Sequence, residues 1–484
     1  MKTIGALKKG RLRAAASGVL PNGKPVVVNT DGTVSVVAAS GGSPAFGTAT
    51  VFEEASTSQT ATGFDSNSNR IVIAYTDAGN SNNGTAVVGQ VSGTSLAFGT
   101  PVVFSTGYPL ETAITFDSNL NKIVIAYSDN SSSEQGLAIV GTVDPADNSI
   151  SFGTAAVFNT GIVGSKGCVF DSNSNKVVIS YRLANKTGYS NVGTVSGTSI
   201  SFATVVGFNT ASSGQGSTFY VGSVFDSTNN KVVIAYRGPS NYGTGIVGTV
   251  ASGQISFGTA TAYTSNVANY NKIVFDSDSN RVAIFYGDAG NSGYGTGVVG
   301  TISSTSISFG TPVVLVSSNT TGFAPVFDTT VNKTMVFYQN EGNTNKGYYV
   351  FGTISNTAIS FTSPVLFNDA TTYDLSSTFD SNSNTIVAAY KNGGNSSYGT
   401  AIAYQASPGN LTSENYVGMS SGGSVASGSS ARVDILGTVN EAQTSLTAGQ
   451  SYYVQTDGTI GLAADDPSVF AGTAISATKL LVKS

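Results

Sequence analysis

The sequence predicts an all-β protein: a seven-bladed β-propeller whose N-terminal strand completes the last blade, plus a small C-terminal β domain. Three observations predict it. One four-element unit recurs seven times, every element in it is a short strand-like run, and the first and last copies are complementary fragments.

The first element is an FDS turn, read at Phe64, Phe116, Phe170, Phe225, Phe275, Phe327 (as FDT) and Phe379, at spacings of 52, 54, 55, 50, 52 and 52 residues. The second is an apolar run ending in tyrosine, as in RIVIAY at 70–75 and KVVIAY at 231–236. The third reads GTAVVGQV at 84–91, and the fourth SLAFGTPVVF at 95–104. Each run is rich in β-branched and aromatic residues and is bounded by Gly, Asn, Asp or Ser, the signature of strands between tight turns. Four strands in sequence make an antiparallel meander, and a period near fifty with four strands is the pattern of a propeller blade.

The ends predict closure. A fourth element stands at 45–52, before any FDS turn, and the last unit stops after its third element at 399–404. The early strand is therefore expected to complete the late blade, leaving no unpaired edge at the seam. This divides the chain into an N-terminal arm and hairpin (1–33), the propeller (34–410) and a C-terminal β domain (411–484). Strands are expected there at 431–439, 451–455 and 479–482. The segments GKPVVVNTDGTV (23–34) and GQSYYVQTDGTI (449–460) share a strand and an intact Thr-Asp-Gly-Thr, so a D-G hairpin is expected at each end. Lys2, Lys8, Lys9, Arg11 and Arg13 read as a basic arm.

Composition removes several function classes. With 22 Lys+Arg against 27 Asp+Glu, the formal charge of −5 argues against nucleic-acid binding. No run of 18 apolar residues is present, so no membrane insertion is expected. The start lacks the apolar core of a secretory signal. Cys168 stands alone, which excludes an intrachain disulfide and reads as a small buried filler. The absence of histidine removes the usual Ser-His-Asp and Cys-His nucleophile systems and most transition-metal sites. No catalytic residue, metal or cofactor is expected.

Two repeated features remain. Asp65, Asp117, Asp171, Asp226, Asp276, Asp328 and Asp380 open the FDS turns, four of them (Asp65, Asp117, Asp171 and Asp380) in a D-x-N-x-N string. That string resembles the start of a calcium loop but lacks its later glycine and glutamate, so a carboxylate bonding its own turn is the expected role. The loops between second and third elements carry Tyr189, Tyr242, Tyr294 and Tyr398 among Asn, Gly and Ser. Equivalent loops emerge on one face of a propeller, so these four tyrosines are the candidate ligand-binding residues; the alternative is that each packs on its neighbouring blade. Glu111, Glu134 and Glu341 fall at irregular positions, which argues against a paired-carboxylate glycosidase.

The segment 417–484 resembles a module at the ends of virion structural proteins of tailed phages, especially tail-fibre-like proteins of marine and cyanobacterial phages. The stretches that carry the resemblance are 449–459 (GQSYYVQTDGT) and 471–480 (AGTAISATKL). It implies a virion protein, assembled in the host cytoplasm without an export signal and present in multiple copies. Its terminal hairpins would dock on other virion proteins, and its propeller would contact a host-surface glycan or protein. A bacterial surface lectin or adhesin is the alternative, and a polysaccharide-degrading propeller enzyme a further one.

Overall fold

The computed structural model describes residues 10–37, 45–211, 216–406, 410–455, 458–464 and 468–483. The chain forms two compact units: Ala45–Gln405, and a second built jointly from Met1–Pro44 and Ala406–Ser484.

Ala45–Gln405 is the predicted seven-bladed propeller. In blade 1 the innermost strand is the second half of Thr50–Asp65, followed by Arg70–Asp77, Asn83–Ser92 and an outer strand, Ser95–Phe98, that resumes as Val102–Ser105. All pair antiparallel in order, for example Phe64↔Ile71, Ile71↔Gly89 and Gly89↔Phe98. Five strands of 16 residues, such as Ala156–Asp171, serve as the outer edge of one blade and the innermost strand of the next. The seam closes as expected: Tyr404 pairs with Phe46, and Ala401 with Thr50. Each innermost strand packs against the next, and the seventh against the first, so the ring is complete.

The blades cohere through their second strands, which are buried along nearly their whole length because neighbouring blades cover both faces. The terminal tyrosines of these runs (Tyr75, Tyr127, Tyr181, Tyr236, Tyr286, Tyr338, Tyr390) are at most 2% exposed. Most pack on an aromatic ring from the outer strand of the preceding blade, as with Phe52 on Tyr75 at 5.1 Å and Phe208 on Tyr236 at 5.1 Å. The third-strand glycine makes room for that ring: a methyl on Gly188 would collide with Phe208, and one on Gly399 with Phe52.

The FDS turns are structural. Asp171 is 1% exposed, and its Oδ1 accepts the backbone N–H groups of Asn173 and Ser174, both at 3.0 Å. The same bonds recur at Asp65, Asp117, Asp226, Asp276 and Asp380. The asparagine four residues on, from Asn69 to Asn384, closes each turn with φ between 50 and 57°.

The second unit departs from the predicted boundaries. Val34–Val36 pairs with Pro25–Val28 as the second strand of the D-G hairpin, so it belongs outside the propeller. Asn410 joins it there, donating to the carbonyl of Val36 at 2.7 Å. Nor is 411–484 a separate domain. One sheet runs Arg11–Ala15, Ser430–Asp434, Tyr416–Ser421, Pro25–Val28, Val34–Val36 and so draws on both ends of the chain. Arg11 and Arg13 lie within a strand rather than an arm, with Arg11 Nε 3.3 Å from Asp434 Oδ1. Lys2, Lys8 and Lys9 fall outside the described residues. The strand expected at 431–439 is broken between Asp434 and Val439 by a turn with Gly437 at φ 83°.

The other sheet of this unit repeats the first. Its order is Val439–Asn440, Lys479–Val482, Val469–Ser476, Ser451–Val454, Ile460–Gly461, with the same connectivity along the chain. The registers correspond down to a bulge. Val26 faces Gly418 and Val27 faces Tyr416, skipping Val417; Tyr452 faces Gly472 and Tyr453 faces Phe470, skipping Ala471. Gly418 and Gly472 adopt φ of 146° and 154°, and Gly32 and Gly458 of 80° and 79°. The copies share a core in which Val27, Tyr416 and Met419 meet Tyr452, Val454 and Val469. Buried amides tie them together: Asn440 Nδ2 donates to the Ser420 carbonyl at 3.0 Å, and Gln443 Nε2 to the Gly23 carbonyl at 3.0 Å.

Candidate functional site

The propeller opens at one end into a cavity of 690 Å³, a volume typical of small-ligand sites. Its wall comes from one repeat position. Five residues before each FDS phenylalanine the innermost strand bulges, placing Gln59, Glu111, Ser165, Tyr220, Tyr270, Gly322 and Asp374 at φ between 41 and 59°. All seven line the cavity. A left-handed backbone costs a non-glycine residue roughly 1–2 kcal/mol, yet six of the seven are not glycine. The bulge aims each side chain at the mouth, and the repeat varies that side chain while holding its backbone constant.

A second position adds to the rim. The residue after each blade tyrosine is Thr76, Ser128, Arg182, Arg237, Gly287, Gln339 or Lys391. Gln339 and Lys391 line the cavity directly. The arrangement is asymmetric. Blades 4 and 5 supply Tyr220 and Tyr270, whose rings lie 4.9 Å apart, while blades 2, 6 and 7 supply Glu111, Glu341 and Asp374. Glu111 and Glu341, irregular in sequence, thus meet at one mouth.

Burial shifts several groups there. Lys166 is 8% exposed; its Nζ donates to Ser128 Oγ at 2.8 Å, and burial pulls its pKa down to about 7. Burial also holds the Asp374 carboxyl above the usual carboxylate range. Gln59 Oε1 accepts the Glu111 backbone N–H at 2.9 Å, linking the bulges of blades 1 and 2.

The four sequence-nominated tyrosines are not brought together. Tyr242, Tyr294 and Tyr398 are equivalent, each the first residue of its blade's third strand, facing Val267, Asn319 and Ser56 of its own blade's outer edge. Tyr189 is not their equivalent. It lies one residue beyond Gly188, inside the strand, opposite Tyr181 and partly buried against the core. None of the four lines the cavity. Cys168 is 9% exposed, and burial pushes its thiol up to about 12, as a filler requires. Among the described residues no group of three His, Cys, Asp or Glu is placed to hold a metal.

No protein-family model matches the chain, and no curated protein sequence matches it. Solved structures do match. The BP39L lectin from Burkholderia pseudomallei aligns at a TM-score of 0.51 with 12% identity, over 75% of this chain and 99% of the lectin. The β-propeller domain of Cps50 (Swd1) from Myceliophteria thermophila aligns at 0.47 with 7% identity, over 75% of this chain and 99% of that domain. The periplasmic gluconolactonase PpgL of Pseudomonas aeruginosa aligns at 0.46 with 10% identity, over 64% of this chain and 86% of the enzyme. At such identities the likeness is one of fold: the chain is a β-propeller protein.

Proposed function

We propose that this is a non-enzymatic recognition component of a phage virion, a tail-fibre or tail-tip part whose propeller mouth contacts the host surface. The terminal unit docks it on other virion proteins, in multiple copies. One observation carries the recognition half: seven bulges of the same left-handed backbone present six side chains and one glycine, of mostly different chemistry, to one cavity. Fold maintenance asks for no such variety at a strained position, whereas ligand selection does. The phage half is supported by the resemblance of 417–484.

The test is binding of the full chain to immobilised bacterial surface polysaccharides. Replacing Gln59, Tyr220 and Tyr270 with alanine is expected to abolish binding, and replacing Tyr242, Tyr294 and Tyr398 to leave it. Loss only in the second set moves the site to the outer rim, and no binding to any polysaccharide overturns recognition of glycans. Antibody against the chain should label the tails of intact particles; unlabelled particles overturn the virion assignment.

A second reading, polysaccharide cleavage, is favoured by the raised pKa of Asp374 in a cavity that the equivalent Glu111, two blades away, also lines. Release of reducing ends, abolished in Asp374→Asn, would establish it.

A further inference from the structure

The most unusual surface of the propeller lies on blades 3 to 5, beside the mouth. Arg182 and Arg237 occupy the same repeat position on neighbouring blades, and both guanidinium groups lie against the ring of Phe219, at 5.2 and 4.3 Å from its centre. Lys186 Nζ is 5.7 Å from the same centre. Three cations therefore surround one phenyl ring. None takes part in the ion pairs found among the described residues. The Nε atoms of both arginines are buried without a hydrogen-bond partner, and the one hydrogen bond found for either guanidinium runs from Arg237 to the neutral Asn269 Oδ1 at 2.6 Å. In a chain of net charge −5, carboxylates were available to neutralise this cluster, and the fold places them elsewhere around the mouth.

Stacking on Phe219 explains how the guanidinium planes are held, but not why like charges converge. Converging cations without counter-charges repel one another, and an anion seated between them removes that cost. Next to them is a second recognition element. Arg237 also lies 5.1 Å from the Tyr220 ring, which meets the Tyr270 ring at 4.9 Å and a tilt of 48°, Tyr270 itself being 40% exposed. An open aromatic platform next to a pair of guanidinium forks matches a sugar ring that bears a carboxylate: one part stacks, the other takes charged hydrogen bonds.

We propose that blades 3 to 5 form a subsite for an acidic sugar residue. Arg182 and Arg237 hold its carboxylate, Tyr220 and Tyr270 stack on its ring, and Glu111, Glu341 and Asp374 disfavour a second carboxylate across the mouth. This rests on the recognition reading above and narrows its ligand to uronate-type glycans.

The test is titration calorimetry of the full chain with galacturonate oligomers, the same oligomers with their carboxyls reduced to alcohols, and sulfated galactose oligomers. The carboxylated oligomers are expected to bind, with affinity falling as salt rises, and the reduced ones to bind at least tenfold more weakly. Arg182→Gln and Arg237→Gln should each lose about ten- to a hundredfold in affinity. Melting curves of both variants verify that they remain folded. Arg237→Lys, which keeps charge and stem, should recover only part of the loss. Equal affinity for carboxylated and reduced oligomers, or arginine variants that bind normally, overturns the subsite while leaving glycan recognition standing. Preference for the sulfated oligomers overturns the carboxylate assignment. No binding to any oligomer, here or on the bacterial polysaccharides above, overturns both readings together.

Discussion

The residues that matter most at the mouth are held at a cost to the fold, and Lys166 shows how that cost is read. Its ammonium is almost fully desolvated and hydrogen-bonded to Ser128 Oγ and the Leu110 carbonyl; burial lowers its pKa, Glu111 and Glu134 oppose that, and the Arg182 charge adds to it. Folding therefore lowers its pKa from the ordinary lysine value to about 7. The sign follows. Below pH 7 both folded and unfolded chains hold the proton, and the burial penalty is felt in full. Between about pH 7 and the ordinary lysine value near 10.4 the unfolded chain holds a proton that the folded chain has lost, so stability rises with pH. Above that range the penalty is gone. Lys166→Met fills the same space and removes the charge, while Ser128 Oγ keeps its bond to the Val163 carbonyl. The variant is expected to be more stable than the native chain at pH 6 by on the order of a few kcal/mol, with the gap closing by pH 10. Urea denaturation midpoints at the two pH values measure it; a pH-independent gap would mean that Lys166 is not buried as an ammonium.

At the scale of elements, the FDS turn shows what a repeat makes legible and what it hides. The aspartate is readable as a turn-former because it recurs in a fixed string, and its Oδ1 does accept two backbone N–H groups in the turn. Asp171→Ala removes the acceptor of two backbone hydrogen bonds and, at about 0.5–1.5 kcal/mol each, is expected to cost about 1–3 kcal/mol, whereas Asp171→Asn keeps the acceptor and costs little. A chelator should shift neither melting curve; a chelator-dependent melt would restore the ion-site reading. The strands, their order and the closing strand at 45–52 are legible for the same reason, since the apolar runs and turn residues repeat in every copy. The mouth is not. Gln59, Glu111, Ser165, Tyr220, Tyr270, Gly322 and Asp374 have no residue type in common, and only Gly322 advertises a left-handed backbone. The available signal is positional: a fixed offset of five from each FDS phenylalanine, at which six residue types occur in seven copies. The loop tyrosines draw attention instead because tyrosine is conspicuous among Asn and Gly. One of them, Tyr189, does not align with the other three because it follows the first residue of its strand instead of opening it. The duplicated terminal sheets are half legible. Thr-Asp-Gly-Thr marks both hairpins, but beyond them the copies share backbone requirements (Gly418 with Gly472, and the bulge beside each) more than side chains.

The whole molecule is best understood as a duplicated β unit with a propeller in one of its loops. In the second copy the hairpin strand Ile460–Gly461 passes to Val469–Ser476 through residues 462–468. In the first copy the corresponding passage, from Val34–Val36 to Tyr416–Ser421, contains the entire propeller. Ring closure makes this insertion possible. Ala45 and Gln405, the two ends of the propeller, are register partners across its seam, so the ring enters and leaves at one point, as a loop insertion requires. Within the host unit, Asn410 braces the return of the chain by donating to Val36 and Ser35. Each unit has its own hydrophobic clusters among the described residues. Two folding units follow. Replacing residues 38–409 by a linker that copies the sequence of 462–468 is expected to leave a soluble, cooperatively melting β protein. Residues 45–405 alone are expected to melt as the closed ring. Calorimetry of the full chain should then show two transitions, each reproduced by one of the pieces. A single transition in the full chain, with neither piece folding alone, would mean that the terminal unit and the propeller stabilise each other, and the loop-insertion account would fail.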